Sequence, residues 1–145
     1  MTEALRIAPA ESDAEIAACF PAMRELRPPL ADAPSFIAQV GRQAAHGYRL
    51  LALCRGGAVV ACAGYRVSEN LIRGRHLYVD DLVTTASERS CGHGDRLFDA
   101  LVAAARAADC RWLVLDSGLD NGAAHRFYFR RRLTVAAFRF ALPLD

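Results

Sequence analysis

An apolar strand pattern that runs into a glycine-containing loop and then into a helical pattern constrains this chain more than any other feature. The strand is predicted over residues 76–85, and a helix with one apolar face from about residue 92 to residue 108. Gly92 and Gly94 stand at the junction, where glycine lets successive backbone N–H groups converge and the helix N-terminus adds partial positive charge. Arg89 can supply further donors to a phosphate. The junction is therefore predicted to bind an anion.

Two familiar phosphate-binding patterns do not fit this junction. The dinucleotide fingerprint G-x-G-x-x-G needs a third glycine where the chain has Leu97. The Walker A pattern needs a lysine, and the 18 basic residues of the chain are all arginine. The lack of lysine also excludes Schiff-base chemistry by a lysine side chain. A strand-to-helix turn that binds nothing stays open as the alternative.

The rest of the chain alternates between strand and helix patterns. Two apolar runs flank Arg55-Gly56-Gly57, a short glycine connection typical of a β-hairpin. Prolines at positions 21, 28, 29 and 34 predict a helix end and a loop over residues 24–33. The predicted strands are residues 5–8, 48–54, 58–65, 76–85, 112–116 and 134–142, and the predicted helices are residues 11–20, 34–45, 92–108 and 121–131. This order predicts an α/β fold in a single domain, residues 1–145, with a mixed sheet covered by helices on both faces.

Composition narrows the class of protein. A hydrophobic fraction of 53% supports a core, and no apolar run reaches the length of a transmembrane helix. The N-terminal residues lack a signal-peptide pattern, and five cysteines without a C-x-x-C pair indicate free thiols, so a cytoplasmic location is expected. The four histidines lack metal-ligand spacing, so no metal is expected. A net charge of +2 gives no reason to expect a nucleic-acid partner, and no membrane partner is expected either.

Two separated motifs resemble the signatures of the GNAT superfamily of N-acetyltransferases. Arg89-x-x-Gly92-x-Gly94 is similar to the R/Q-x-x-G-x-G/A loop that binds the pyrophosphate of acetyl-CoA in that family. The segment Asn121-Gly122-Ala123-Ala124-His125-Arg126-Phe127-Tyr128 is similar to the second signature, N-x-x-A-x-x-F-Y, on the helix after the fifth strand. The order of elements and the spacing between the motifs also match, so the resemblance covers nearly the whole chain.

The resemblance implies a GNAT-like fold, with a mixed and mostly antiparallel sheet of six to seven strands and helices on both faces. It implies acetyl-CoA as co-substrate, and a strand four that splays from strand five at a bulge and so frees backbone N–H groups. The Val83 N–H is expected on the thioester carbonyl, and Asn121 is expected to cap its helix, to contact the coenzyme, or both. The residues expected to bind the coenzyme are Leu82, Val83, Thr84, Arg89, Ser90, Cys91, Gly92, His93, Gly94, Asp95, Asn121 and Tyr128.

Acetyl transfer to an amine also needs groups that move protons. Tyr128 is the candidate general acid, because a phenol is protonated at neutral pH and can give a proton to the departing thiolate. Asp81 and Asp80 are the candidates for the general base, with Asp81 preferred because it directly precedes the expected acetyl-binding residues, and Glu69 is a third. Strand alternation predicts that Asp80 and Asp81 face opposite sides, and an ion pair with an arginine is an equal alternative for them.

Three further features carry expectations. Cys91 and His93 occupy variable positions of the loop, so no acetyl-cysteine intermediate is expected and His93 is expected to be solvent-exposed. Arg132 stands where the family usually has a glycine, so the turn after the last helix is expected to differ. The apolar last strand, residues 134–142, predicts an edge that pairs with a second copy in a homodimer.

The sequence thus predicts direct transfer of acetyl from acetyl-CoA to a primary amine, bound between residues 24–33 and strand four. Glu25, Asp32, Asp80 and Asp81 favour a cationic small-molecule amine. Two alternatives stay open, a non-catalytic acetyl-CoA-binding regulatory domain and an enzyme that acetylates a protein, a peptide or an aminoacyl-tRNA.

Overall fold

A computed structural model describes residues 4–145 of the chain. Contacts within the chain define two compact units, Met1–Val114 and Leu115–Asp145. The elements before the second unit's helix are β1 (Leu5–Pro9), α1 (Asp13–Leu26), α2 (Ala33–Ala44), β2 (Arg49–Arg55), β3 (Ala58–Asn70), β4 (Gly74–Thr84), a single 3₁₀ turn (Ala86–Glu88), α3 (His93–Ala107) and β5 (Trp112–Leu115).

The strands form a mostly antiparallel sheet in the order β1-β2-β3-β4-β5. The pairs β1–β2, β2–β3 and β3–β4 are all antiparallel, and the β2–β3 turn is the glycine hairpin that the sequence predicts. Within residues 4–145 the sheet has five strands, where the sequence predicted six to seven. The α/β fold with a GNAT-like order of elements is confirmed.

Helix α1 runs past the proline at which the sequence predicted its end. A capping box starts it, because the Ser12 side chain accepts from the Glu15 N–H while the Glu15 carboxylate accepts from the Ser12 N–H. Pro21 lies inside the helix, which continues to Leu26. Proline removes one helical hydrogen bond, but Ala22 and Met23 are both buried just beyond it. Burial of that turn outweighs the lost bond, so the helix end predicted at residue 20 is wrong.

Helices cover the sheet on both faces. Helix α1 contacts β3, β4 and α2, whereas α3 contacts β2, β3 and β4. The core on the α1 and α2 side consists of Ala10, Ile16, Cys19, Ala22, Met23, Phe36, Val40, Tyr48, Leu50, Ala52, Cys62 and Val83. The buried Leu97 and Leu101 of α3 lie outside this cluster and belong to the opposite face. Sheet residues alternate between the two faces, which fixes the side on which each polar residue of β4 lies.

The second unit contains helix α4 (Gly122–Arg130), which begins at an Asn121 cap. The Asn121 side chain accepts from the Ala124 N–H at 3.3 Å, so the expected capping role is observed. After the helix, Leu133 N–H donates to the Tyr128 carbonyl and Arg132 N–H to the Phe129 carbonyl. This bond pair is a Schellman motif, whose residue after the C-cap adopts the left-handed conformation.

Arg132 occupies that left-handed position with a φ of 68°. The position where the family usually has glycine therefore keeps a glycine-like backbone, and an arginine accepts the strain. Residues 134–145 form neither helix nor strand, so the predicted last strand, residues 134–142, is not formed. Its large apolar side chains are exposed, at 76% for Phe138 and 91% for Phe140.

Candidate active site

A bulge in the middle of β4 shapes the site. Gly64 of β3 pairs with Asp81, but Tyr65 pairs with Val79, so Asp80 is an extra residue on β4. The bulge interrupts strand alternation. As a consequence the side chains of Asp80 and Asp81 both lie on the α1 and α2 side of the sheet, and the prediction that they face opposite sides is wrong.

Asp81 is the more enclosed of the two aspartates and has two donors. Arg27, just after α1, donates from Nε to Asp81 Oδ1 at 3.0 Å, while its Nη2 donates to the Asp80 carbonyl at 2.8 Å and lies 3.0 Å from Oδ1. Tyr48 donates its hydroxyl to Asp81 Oδ2 at 2.8 Å. The Asp81 side chain is 14% exposed, whereas that of Arg27 is 51% exposed. The carboxylate is therefore fixed from two sides while one edge of it stays accessible.

Tyr48 is buried and remains a hydrogen-bond donor. Burial, and next the neighbouring Asp81 charge, raise the pKa of the Tyr48 phenol far above its ordinary value. Gly64 provides the space for it, because a Cβ at position 64 would lie 1.8 Å from the Tyr48 hydroxyl oxygen. The sequence reasoning assigned no role to Tyr48, Gly64 or Arg27. A glycine inside a strand pattern was the one available signal, since it often marks a close approach.

A cavity of about 400 Å³ opens beside Asp81. It lies between the end of α1, helix α2 and the sheet, next to the predicted loop of residues 24–33. Its lining consists of Met23, Arg27, Pro29, Leu30, Phe36, Gln39, Val40, Gln43, Tyr48 and Asp81. This cavity lies where the sequence predicted the acceptor.

The other candidate bases are placed differently. Asp80 makes a two-bond ion pair with Arg66, at 2.9 Å from Nη2 to Oδ1 and 3.1 Å from Nε to Oδ2. Glu69 is exposed near the end of β3, where it pairs with Arg75 in the sheet register. Asp81 is the only one of the three that lines the cavity.

The outer edge of β4 offers backbone donors directly after Asp81. Thr85 N–H donates to the Val60 carbonyl of β3, and in the same register Val83 is opposite Cys62. Antiparallel pairing alternates, so Val83 N–H also points toward β3, while Leu82 and Thr84 N–H point away from it. The predicted use of the Val83 N–H is therefore wrong, and the neighbouring Leu82 and Thr84 supply the outward donors.

Strand β5 does not reach that edge. It has four residues, and Arg111 just before it donates its N–H to the Arg75 carbonyl near the start of β4, at 2.9 Å. Four residues extend about four positions along a neighbouring strand. The outer edge at Leu82 and Thr84 therefore lies beyond the end of β5.

The loop before α3 has the backbone of an anion site. Ser90 and Gly92 have φ values of 65° and 82°, both left-handed. Gly92 is the N-cap of α3 and makes no side-chain capping bond, whereas side chains cap the other described α-helices, α1, α2 and α4. A Cβ at position 92 would meet nothing within 4 Å, so the space beside Gly92 is open. Arg89 is 61% exposed at this loop. These residues fit a pyrophosphate.

A buried cluster anchors the loop from behind. Arg55 at the end of β2 and His93 at the start of α3 both contact the Glu88 carboxylate, His93 through Nε2 at 3.3 Å. The His93 side chain is 1% exposed, and its Nδ1 is buried without a hydrogen-bond partner. The expectation that His93 is solvent-exposed is therefore wrong, because the first turn of α3 directs this ring toward β2.

The remaining predicted residues lie near helix ends. Cys91 is exposed in the loop, and Asp95 lies in the first turn of α3. Tyr128 lies in α4 with its ring edge-on to Phe127, at 5.6 Å between ring centroids. Burial raises the pKa of the Tyr128 phenol, so it holds its proton well above neutral pH.

The site thus combines an antiparallel strand with a central bulge and a glycine loop at a helix N-terminus, the two features that the GNAT resemblance implies. Residues 13–133 match the model of the Acetyltransferase (GNAT) family. The match covers most of the chain, which therefore belongs to the GNAT family and is an N-acetyltransferase. Over 135 residues it is 35% identical to an uncharacterized N-acetyltransferase, YhdJ, of Bacillus subtilis strain 168, and the alignment covers 92% of this chain and 94% of that protein.

Solved structures agree in fold. An acetyltransferase of Trypanosoma brucei superimposes with a TM-score of 0.81 at 18% identity, over 97% of this chain and 100% of that one. The aminoglycoside N-acetyltransferase AAC(6')-Iy, solved in complex with CoA, gives a TM-score of 0.85 at 12% identity, over 100% and 98%. At these identities the likeness establishes the fold alone. Among residues 4–145, each helix is too short or too polar to cross a lipid bilayer.

Proposed function

We propose that this protein binds acetyl-CoA at the Arg89–Gly94 loop and along the outer edge of β4, and transfers the acetyl group to a primary amine in the Asp81 cavity. The observation that supports the proposal is that neighbouring residues of β4 face two different places. Asp81 faces the cavity, and the next residues turn the Leu82 and Thr84 N–H groups to the outer edge. One strand therefore brings an amine site and an acyl site within two residues of each other.

The coenzyme is held by backbone and by one arginine. The open N–H groups at the start of α3 bind the pyrophosphate, and Arg89 adds charge-assisted hydrogen bonds. The residues Ser90, Cys91, Gly92, His93, Gly94 and Asp95 contribute through their backbone. The Leu82 and Thr84 N–H groups bind the acetyl and pantetheine oxygens, where a fixed donor stabilises the developing oxyanion.

The proton transfers use Asp81 and Tyr128. The amine nitrogen attacks the thioester carbon, a C–N bond forms, and the C–S bond breaks. The Asp81 carboxylate accepts the proton that the amine loses, and the Tyr128 hydroxyl gives its proton to the departing sulfur. Water returns the proton from Asp81 to Tyr128, so the net products are the amide and the free thiol of CoA.

Calorimetry of acetyl-CoA binding tests the coenzyme site. Arg89→Ala should weaken binding by about 1.5–3 kcal/mol, the scale of a charge-assisted hydrogen bond. Arg106→Ala, near the opposite end of α3, is the matched control and should bind as the wild type does. A wild-type protein that binds neither acetyl-CoA nor CoA at millimolar concentration would refute the proposal.

Turnover of Tyr128→Phe tests the general acid. The variant keeps the ring and should bind acetyl-CoA normally, but turnover should fall about 10²–10⁴-fold. Cys91→Ala should retain most activity, because transfer is direct. Turnover of Tyr128→Phe within about threefold of wild type would remove the role of Tyr128.

We also propose a cytoplasmic homodimer, and the exposed apolar segment after α4 supports the dimer. Phe138, Phe140, Leu142 and Leu144 recur at every second position, each at least 76% exposed. This is the period of one strand face, in a segment that forms neither helix nor strand. Pairing with a second copy would bury these side chains.

A further inference from the structure

We infer that the acetyl acceptor is a primary amine with a single positive charge and an unbranched or aromatic apolar body, and not a polyamine or an amino sugar. The inference rests on the proposed function, because it names the substrate class of the same site. It follows from the groups that line the cavity beside Asp81 and from the acidic groups that are not part of that lining.

Among residues 4–145, one carboxylate faces the cavity. Asp81 is in the lining, whereas the other three acidic residues that the sequence suggested for the acceptor have different partners. Asp80 is paired with Arg66, Asp32 caps α2 by accepting from Ser35 N–H at 2.8 Å, and Glu25 accepts from Ala86 N–H at 2.8 Å. A ligand with several ammonium groups would therefore have one partner for its charges inside the cavity.

Apolar side chains form much of the cavity lining. The side chains of Met23, Leu30, Phe36 and Val40 belong to it, and Met23 and Phe36 are among the buried core residues. A second ammonium group placed against them would lose its hydration without gaining a partner. An alkyl chain or an aromatic ring there is instead stabilised by about 0.8 kcal/mol per buried CH₂.

The free edge of Asp81 sets the position of the amine. Oδ1 accepts the bond from Arg27 Nε and has Arg27 Nη2 at 3.0 Å as well, whereas Oδ2 accepts one bond, from Tyr48. A carboxylate oxygen has two lone pairs, so Oδ2 can accept one more donor. The amine donates to Oδ2, and its apolar body extends toward α2. The cavity of about 400 Å³ has room for a body of this kind.

The methyl group of Met23 gives a direct signal for occupancy of the cavity. The chain has two methionines, Met1 and Met23, so protein labelled with ¹³C at the methionine methyl groups gives two signals. Met23 lines the cavity, and a Met23→Leu variant assigns its signal. Titration of this signal measures amine binding without any acetyl transfer.

Matched six-carbon ligands separate charge from apolar contact. Hexylamine should shift the Met23 signal with saturation, and propylamine should bind about 10- to 50-fold more weakly because three CH₂ groups are missing. Hexan-1-ol should bind at least about tenfold more weakly than hexylamine, because it lacks the charge-assisted bond. Hexane-1,6-diamine should also bind at least about tenfold more weakly, because its second charge has no carboxylate partner in the cavity. Equal or tighter binding of the diamine or the alcohol would overturn the inference, as would an unshifted Met23 signal at about 50 mM hexylamine.

An Asp81 variant shows whether this carboxylate is the partner of the ammonium group of the ligand. Asp81→Asn should lower hexylamine affinity about tenfold or more and leave hexanol affinity unchanged. Equal losses for both ligands would mean that Asp81 only holds the cavity together, which would overturn the assignment. Asp109→Asn makes the same change in charge at an exposed residue after α3 and should change neither affinity.

The readouts separate this inference from the proposed function. If acetyl-CoA binds and hydrolyses slowly but the diamine is the better ligand and acceptor, the substrate class is wrong and the transferase proposal stands. If acetyl-CoA fails to bind while the ligand series behaves as expected, the transferase proposal fails and the cavity assignment stands.

Discussion

The close approach of Tyr48 to Gly64 makes Gly64→Ala a sharp test of the site. The added Cβ would lie 1.8 Å from the Tyr48 hydroxyl oxygen, 2.3 Å from Cζ and 2.7 Å from Cε1. Carbon and oxygen atoms that are not bonded to each other do not approach this closely. Tyr48 is 3% exposed, so its ring has no open space to enter. The ring must move, and its bond to Asp81 must break.

The expected loss of stability has two parts, a broken hydrogen bond and an overpacked core. A hydrogen bond from a hydroxyl to a carboxylate contributes about 1.5–3 kcal/mol. Forcing an extra methyl group into a packed core costs about 1–3 kcal/mol more. Replacing glycine by alanine in a strand raises the free energy of unfolding by about 0.5–1 kcal/mol, because alanine has less backbone entropy to lose on folding. We expect Gly64→Ala to lower the free energy of unfolding by about 2–5 kcal/mol.

Urea unfolding followed by circular dichroism measures this loss, and a second glycine supplies the control. Gly41 lies inside α2, and a Cβ there meets nothing within 4 Å, so Gly41→Ala should stabilise by about 0.5–1 kcal/mol. In a Tyr48→Ala background the clash is gone, and Gly64→Ala should stabilise the protein by about 0.5–1 kcal/mol through backbone entropy alone.

Two outcomes would refute the reasoning. If Gly64→Ala is as harmless as Gly41→Ala, the approach of Tyr48 to Gly64 does not exist as described. If the loss persists in the Tyr48→Ala background, its cause is the glycine backbone and not the phenol. The first result would also remove Tyr48 as the group that fixes Asp81.

Three further predictions concern the rest of the molecule. Arg132→Gly should stabilise the protein by about 1 kcal/mol in urea unfolding, because φ is left-handed there, whereas Arg132→Ala should give no such gain. Although burial opposes its charge, Glu88 has a lowered pKa through its bonds from Arg55 and His93. The ionised Glu88 carboxylate therefore stabilises the protein above the pKa that it has in the unfolded chain, and this stabilisation is lost as the pH falls through its lower pKa in the folded protein. The difference in the free energy of unfolding between wild type and Glu88→Gln should therefore shrink from about pH 6 to about pH 3. Light scattering at tens of micromolar should show a dimer for wild type and a monomer for Phe140→Arg, and a monomeric wild type would contradict the proposed pairing.

Local sequence signals were sufficient for most of the fold. The glycines at positions 56 and 57 indicated the β2–β3 hairpin, and Gly47 indicated the end of α2, where it adopts a φ of 93°. These residues act through their own backbone, so a short window of sequence contains the whole cause. Pro21 misled because burial of the next turn, a tertiary effect, outweighed the local preference.

The site was predictable in part, for the same reason. The loop at Gly92 was recognisable because it is a continuous motif. The partners of Asp81 were not, because Arg27 and Tyr48 lie 54 and 33 residues away from it in sequence and only the fold brings them together. The burial of His93 was missed because its partners, Arg55 and Glu88, come from two other elements.

The extra residue in β4 makes the bulge a place where the strand can change length. Because Asp80 is the extra residue, Val79 and Asp81 lie on opposite faces of the sheet although they are two positions apart in sequence. Deletion of Asp80 would restore regular alternation and leave Asp81 opposite Gly64 and facing the cavity. A protein of this fold can therefore lose or gain a residue at this point while the other side chains of the strand keep their faces and Asp81 keeps its place.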